Sequence, residues 1–443
     1  MTDPLQNFFA RLDGDPLAWA FERPTMGGAM ADRASGQARA SNCPKTWSEL
    51  WRLPVVEPLA AYVNVPFCPT FCSFCGFRKS LFEPEAVEPY LTALLKELEL
   101  EGAWVERAGL AVSALFVGGG TPAVWPAEDL SRLLAGVKRF LPLAPGAELT
   151  MEGRLSVLTA DKVQALRAGG VNRLSLGVQS FDADVRRRAG RLDPPEKIVA
   201  QLEALTADAE LLTTVDLIYG LPGQSLEIFQ RDLRLAASLS LDGVSCYMLK
   251  VMPGSALAAE LKSGRGPELK SPAELSQYFR LAVESLGAAG FEQVSGNHWR
   301  RNPADRNLYN QLSMGRRDLL GFGAGAGGLA AGRSYVNHAD LGLYRAEVDA
   351  GRKPLAAFSD PPPRHEILDA ASRAVHEGRL DRRQLREAAG RQAGLVDRLT
   401  AQWTQAGLLS VDGEELKLTM AGTFWRANLE KALRAVLALG AEA

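Results

Sequence analysis

Between about residue 60 and residue 250 the chain alternates short apolar runs with helix-period segments, and few folds accept that pattern. The runs are Ala61–Val65, Ala114–Val117, Ala147–Met151, Arg173–Val178, Thr214–Ile218 and Gly243–Met248. Between them apolar residues recur at three and four, as in Leu91, Leu94, Leu95 and Leu98, and in Leu130, Leu133, Leu134 and Val137. Val163/Leu166 and Leu233/Ala237 continue the spacing. Runs of the first kind suit strands and spacings of the second kind suit helices covering them. Six strand-then-helix units predict an α/β fold with a parallel sheet and helices outside it. The length suffices for six units but not for the eight of a closed barrel, so a partial (β/α)6 barrel is expected.

Parallel α/β folds gather their chemistry at the carboxyl ends of the strands. Cys68, Cys72 and Cys75 follow the first run, and Gly118-Gly119-Gly120-Thr121-Pro122 follows the second. Glu152 ends the third, Gln179 follows the fourth, and Asp216 with Gly220-Leu221-Pro222 lies at the fifth. Pattern and position agree.

The flanks divide into an irregular arm over 1–55 with one or two short helices, the barrel over 56–255 and an α+β extension over 256–358. Pro361-Pro362-Pro363 marks a linker. Over 363–443 three helical segments precede a hairpin with its turn at Asp412-Gly413, predicting a winged-helix-like domain. The 50 Lys+Arg against 52 Asp+Glu give a net charge of −2, with no bulk attraction for nucleic acid or anionic lipid. The terminal domain is therefore read as structural or docking. No apolar run reaches the roughly 18–20 residues of a membrane span. Met1-Thr2-Asp3-Pro4 does not begin a signal peptide, so a cytoplasmic protein is expected.

Three of the five cysteines crowd into one loop as C-x3-C-x2-C, whereas Cys43 and Cys246 stand alone. In a reducing compartment clustered thiols point to a metal site rather than a disulfide framework. Each of the three can ligate one iron of a [4Fe–4S] cube, leaving the fourth iron open to a ligand with amino and carboxylate groups. Phe67, Phe71, Phe74 and Phe77 would shield it. A zinc site completed by Cys43 or Cys246 is the alternative, although no second C-x2-C pair exists. Gly118–Gly120 would let backbone approach a ligand, and Glu152 could accept ribose hydroxyls. Glycine runs otherwise mark turns, and Asp216 or Gln179 taken singly reads as a satisfied core polar residue. Cys43 and Cys246 are read as an exposed thiol and a small buried residue.

Tyr62-x-Asn64-Val65-Pro66-Phe67-Cys68-x3-Cys72-x-Phe74-Cys75 resembles the cluster motif of radical SAM enzymes. More narrowly it is similar to the branch holding oxygen-independent coproporphyrinogen dehydrogenase and the related heme chaperones. Gly118–Pro122, Gly177–Phe181 and Val215–Gln224 extend the resemblance, which covers roughly 55–345. Cys75-Gly76-Phe77, Glu152-Gly153-Arg154, Asn297-His298-Trp299, Arg306–Gln311 and Gly323–Gly328 resemble the anaerobic heme-degrading methyltransferases, the anaerobilin synthase family. The dehydrogenase has His where this chain has Asn64, and a fourth Cys at Phe77. The chaperones typically carry Asn-Pro where Gly153-Arg154 stands.

The resemblance implies a reaction on heme with two S-adenosylmethionine (SAM) molecules, methylation, and opening of the ring to a linear tetrapyrrole with iron release. It implies that Cys68, Cys72 and Cys75 hold the cluster and that Tyr62, Gly119 and Glu152 contact the first SAM. Phe74, Gly120, Thr121, Gln179, Arg191 and Asp216 match second-SAM positions; Lys250 falls at another but differs in kind. His298 is a candidate for heme iron or a propionate, although a lone histidine beside a tryptophan is more often structural, and Arg300, Arg301 and Arg306 are candidates for propionates against a reading as solvated surface charge. A flavodoxin-type reductant is implied, with no nucleic-acid or membrane partner. A heme-binding chaperone, or a two-SAM methyltransferase or cyclopropane-forming enzyme on another substrate, are the other readings.

Overall fold

The computed structural model describes residues 5–25, 57–77 and 80–439. Each of the six apolar runs is a strand. In chain order the strands are β1 (Leu59–Val65), β2 (Phe67–Cys68), β3 (Ser80–Leu81), β4 (Val112–Gly119), β5 (Leu143–Gly153), β6 (Arg173–Gln179), β7 (Leu212–Tyr219) and β8 (Gly243–Met248). Then come β9 (Glu292–Ser295), β10 (His298–Arg300), β11 (Leu319–Phe322), β12 (Gly327–Ala330), β13 (Arg333–Asn337) and β14 (Leu355–Ser359).

Strands β1-β4-β5-β6-β7-β8 pair in parallel, in that order, as a partial barrel. The extension adds strands to both edges of this sheet. β11 joins β1 in parallel and continues antiparallel through β12, β13 and β14, while β10 and β9 add antiparallel to β8. The glycine-rich segment Gly321–Gly328 is therefore the end of β11, a short loop and the start of β12.

Alternation along each strand sends one set of side chains outward under the helices and the other inward. Leu115, Val117, Leu149, Met151, Leu174, Leu176, Val215 and Leu217 form the outer set. They are covered by helices Val87–Arg107, Ala127–Phe140, Ala160–Ala168, Pro195–Thr206 and Leu226–Ser238. The spacing of Leu91, Leu94 and Leu98 puts all three on the buried face of the first of these. The inner set is divided by chemistry. On β1 and β4, Tyr62 and Phe116 stack with Tyr309 at 4.8–6.2 Å between ring centres. On β5–β8 the inner residues are polar: Glu148, Thr150, Glu152, Arg173, Ser175, Asp216 and Ser245.

Past the prolines, helix His365–Glu377, strand β15 (Arg379–Asp381), helices Arg382–Ala389 and Ala393–Gln405, and a hairpin of β16 (Leu409–Asp412) and β17 (Glu415–Leu418) follow the winged-helix order. Helices Met420–Phe424 and Arg426–Ala438 come after it. The N-terminal segment docks here: Trp403 Nε1 donates to the Phe8 carbonyl at 3.0 Å, and Trp425 Nε1 to the Leu17 carbonyl at 3.0 Å. Among the described residues no helix is long and apolar enough to cross a membrane.

Candidate functional site

The cysteine loop leaves β1 at the carboxyl end of the barrel and is gripped from three sides. Cys68 ends β2, whose partner is β3. The Thr121 N–H donates to the Phe67 carbonyl at 2.7 Å, and Thr121 Oγ1 lies 3.7 Å from Cys68 Sγ. The Ser73 N–H donates to the Ala189 carbonyl at 3.3 Å, and the Leu257 N–H donates to the Ser73 carbonyl at 2.9 Å. Cys68 and Cys72 are buried and Cys75 is partly exposed. Two guanidinium groups meet the Cys72 sulfur, Arg154 Nη2 at 3.1 Å and Arg191 Nε at 3.2 Å. Among the described residues no three His, Cys, Asp or Glu side chains converge as around one metal ion. A cubane takes each thiolate on a different iron rather than at a common point.

The glycine triplet after β4 forms a cradle beside this loop. Gly119 has φ +110°, and a Cβ there would stand 1.9 Å from Asn64 Oδ1. A Cβ at Gly120 would stand 2.3 Å from the Phe67 carbonyl oxygen, so only glycine permits this approach. Asn64 ties β1 to the loop between β11 and β12: its Oδ1 accepts from the Tyr62 hydroxyl on the same strand at 3.2 Å, and its Nδ2 donates to the Ala324 carbonyl at 2.5 Å. Buried Glu97 holds that loop, accepting the Gly323 N–H at 2.7 Å and Lys353 Nζ at 2.8 Å.

Two inward carboxylates face the cradle from β5 and β7. Glu152 Oε2 accepts the Gly119 N–H at 3.2 Å. Burial pushes the Glu152 carboxyl up to about 7, with neighbouring Asp216 adding to the rise against the Gly119 hydrogen bond, Arg191 and Arg154. Asp216 is also raised, by burial, although Ser175, Ser245, Arg173 and His298 oppose the shift. Its Oδ2 accepts from Ser175 Oγ at 3.0 Å, while its buried Oδ1 has no partner among the described residues. Gln179 takes φ +71° at a bulge ending β6, and Arg191 Nη1 donates to the Gly177 carbonyl at 2.9 Å beside it. Phe74 packs partly buried with Val185, Ile218 and Leu221. The structure thus brings Tyr62, Cys68, Cys72, Gly119, Gly120, Thr121, Glu152, Gln179, Arg191 and Asp216 around one end of the barrel.

The substrate expectations are corrected. His298 is fully buried in β10, its Nδ1 3.0 Å from Ser245 Oγ and its Nε2 2.7 Å from Asp305 Oδ2. Asp305 also pairs with Arg173 at 2.8 Å, so both ring nitrogens belong to an internal network rather than a heme contact. Arg306 donates to the Gly146 carbonyl near the start of β5, at the opposite end of the strand from Glu152. Arg300 pairs with Glu292, and Arg301 donates to the Ala237 and Leu239 carbonyls, away from the cysteines. Lys250 is exposed after β8. Phe67 is buried, but Phe71 and Phe77 are about half exposed, so the aromatic shield is thinner than expected. Cys246 is buried, with its thiol pushed up by burial; Cys43 lies outside the described residues. The sequence alone gives no role to Glu97, and it marks Arg154 only as part of Glu152-Gly153-Arg154, without a partner.

The radical SAM superfamily pattern matches residues 62–236. Coproporphyrinogen III oxidase (HemN) from Escherichia coli, a radical SAM enzyme, superposes with a TM-score of 0.76 at 25% identity, over 93% of this chain and 99% of that one. This chain belongs to the radical SAM superfamily, whose members use a [4Fe–4S] cluster and SAM. Within it, the chain is 34% identical over 395 residues to anaerobilin synthase from Escherichia coli O157:H7, spanning 89% of this chain and 88% of that protein. It is 32% identical to heme chaperone HemW from Escherichia coli K12, over 72% of this chain and 85% of that one. The residues present fit both cofactors: three thiols on one loop, two guanidinium groups on a thiol sulfur, a cradle that a Cβ would fill and an orphaned carboxylate oxygen.

Proposed function

We propose that this protein is a radical SAM C-methyltransferase that acts on heme with two SAM molecules and opens the porphyrin to a linear tetrapyrrole with iron release. The observation that carries this reading is the pair of inward carboxylates on separate strands, Glu152 near the end of β5 beside the glycine cradle and Asp216 in the middle of β7. Cys68, Cys72 and Cys75 would hold the cluster, which when bound supplies the electron that cleaves a SAM molecule to a radical. Glu152, tied to the Gly119 N–H, presents its carboxylate to the ribose of one sulfonium ligand. Asp216 keeps one oxygen on Ser175 and offers the other to the second, a cation that the buried charge favours. Arg191, beside Gln179, is poised for that ligand's carboxylate. The stacked face of Tyr62, Phe116 and Tyr309 keeps water from the opposite wall.

Anaerobic incubation with heme, SAM and a strong reductant, followed by mass spectrometry, tests the proposal. A methylated linear tetrapyrrole is expected. SAM turnover with unchanged heme would move the reading to another substrate. Tight heme binding without turnover would move it to a chaperone, the reading that 32% identity to HemW favours. Low-potential flavodoxin is the proposed donor.

A further inference from the structure

Arg154 differs from the other cations near the cysteines in what it touches. It follows the carboxyl end of β5 and is 7% exposed. Nη1 donates to Thr70 Oγ1 at 2.9 Å, and Nη2 donates to the Thr70 carbonyl at 3.1 Å and to Cys72 Sγ at 3.1 Å. One planar guanidinium therefore spans the stretch between the first two cysteines and ends on a sulfur. Its hydrogen bonds all run to that loop, whereas Arg191 divides its own between Cys72 and the Gly177 carbonyl. The two cations stand close enough to raise each other's energy in a buried place, a cost that anionic sulfur offsets.

We propose that Arg154 is a positioning residue for the cluster: it clamps the Thr70–Cys72 segment and donates a charge-assisted hydrogen bond to the Cys72 thiolate, raising the cluster's one-electron reduction potential. Reduction moves one electron from the reductant onto the cluster, [4Fe–4S]2+ to [4Fe–4S]1+, with no bond formed or broken. The added negative charge spreads onto the thiolates, so a fixed cation and an N–H donor stabilise the reduced state more than the oxidised one. Burial strengthens the effect by excluding water that would screen it. The inference rests on the cluster and not on the tetrapyrrole reading, so the two fail separately.

The test uses full-length protein reconstituted anaerobically, without SAM or heme, as wild type, Arg154→Gln and Arg154→Lys. Iron and sulfide are assayed, and the reduced cluster is followed by EPR during titration with dithionite and mediators. In Arg154→Gln the ratio of reduced to oxidised cluster at a fixed potential is expected to fall about tenfold, a shift of about 59 mV to more negative potential for one electron. Arg154→Lys should shift the same way by less, because one ammonium cannot reach both Thr70 and Cys72. An unchanged midpoint in Arg154→Gln carrying its full cluster overturns the proposal. If Arg154→Gln takes up no cluster, Arg154→Lys decides, and a wild-type midpoint there overturns it. An arginine that served only the SAM carboxylate would leave these SAM-free midpoints in place and change SAM affinity alone, which also overturns it.

Discussion

Gly120→Ala should disconnect the glycine cradle from the cysteine loop. The new methyl would stand 2.3 Å from the Phe67 carbonyl oxygen, 2.7 Å from its carbon and 2.8 Å from the Phe67 nitrogen. All three are backbone atoms, so no side chain can swing aside. Carbon–oxygen contact needs roughly 3.4 Å or more, so the β2 backbone must yield by about 1 Å. The chain on either side of Pro66 is held by the Gly120 N–H to the Val65 carbonyl, at the end of β1, at 2.8 Å and by the Thr121 N–H to the Phe67 carbonyl, in β2, at 2.7 Å. Overpacking costs about 1–3 kcal/mol. Losing the two hydrogen bonds adds about 0.5–1.5 kcal/mol each, giving about 2–6 kcal/mol in all. The residue displaced with Phe67 is Cys68, so cluster content should fall along with stability. The assay is chemical unfolding of the apoprotein beside iron and sulfide analysis after anaerobic reconstitution. Gly287→Ala is the control, because nothing lies within 4 Å of a Cβ there and its helix should gain about 0.5–1 kcal/mol. A Gly120→Ala protein of wild-type stability carrying four irons would refute the reasoning.

Three further outcomes are expected. Glu152, raised to about 7, is mostly protonated below that pH and charged above it. If only the carboxylate binds the sulfonium cation, SAM affinity by calorimetry should rise about tenfold from pH 6 to pH 8, and Glu152→Gln should flatten the profile; a flat wild-type profile contradicts this. Asp216→Asn keeps the shape but removes the charge, weakening one ligand by about 1.5–3 kcal/mol. Methylated product should then fall tenfold or more while 5′-deoxyadenosine still forms, and a proportional loss of both would mean that the carboxylates do not serve separate ligands. Lys353→Ala leaves Glu97 and Glu101 buried without their cation, so unfolding should show a loss of about 3–5 kcal/mol, whereas a loss below 1 kcal/mol would mean that the pair is not buried as described.

The six barrel strands are legible because each buries an apolar face under a helix, which leaves short runs rich in apolar residues in the sequence. The edge strands are not. β9 and β10 run through Glu292–Arg300, where polar side chains hide the period; β11 and β12 are only four residues each, with Gly321 in the first and Gly327-Gly328 making half of the second. The cysteines and Gly118–Gly120 announced themselves by spacing and by residue type. His298 did not, since a histidine beside a tryptophan reads the same whether it faces a ligand or, as here, Ser245 and Asp305. Arg306 misled for a related reason: charge type says nothing about which end of a barrel a loop reaches. Arg154 stands out in the sequence only as part of Glu152-Gly153-Arg154; its contact with the cysteine loop is not legible there because its partners, Thr70 and Cys72, lie 84 and 82 residues away in the chain.

EPR of the reduced, anaerobically reconstituted protein, recorded before and after SAM is added, tests the central claim most directly. A cluster held by Cys68, Cys72 and Cys75 has one iron free to bind the added molecule, so the spectrum should change shape and the change should saturate. An identical spectrum, or protein that takes up zinc in place of iron and sulfide, would contradict the account.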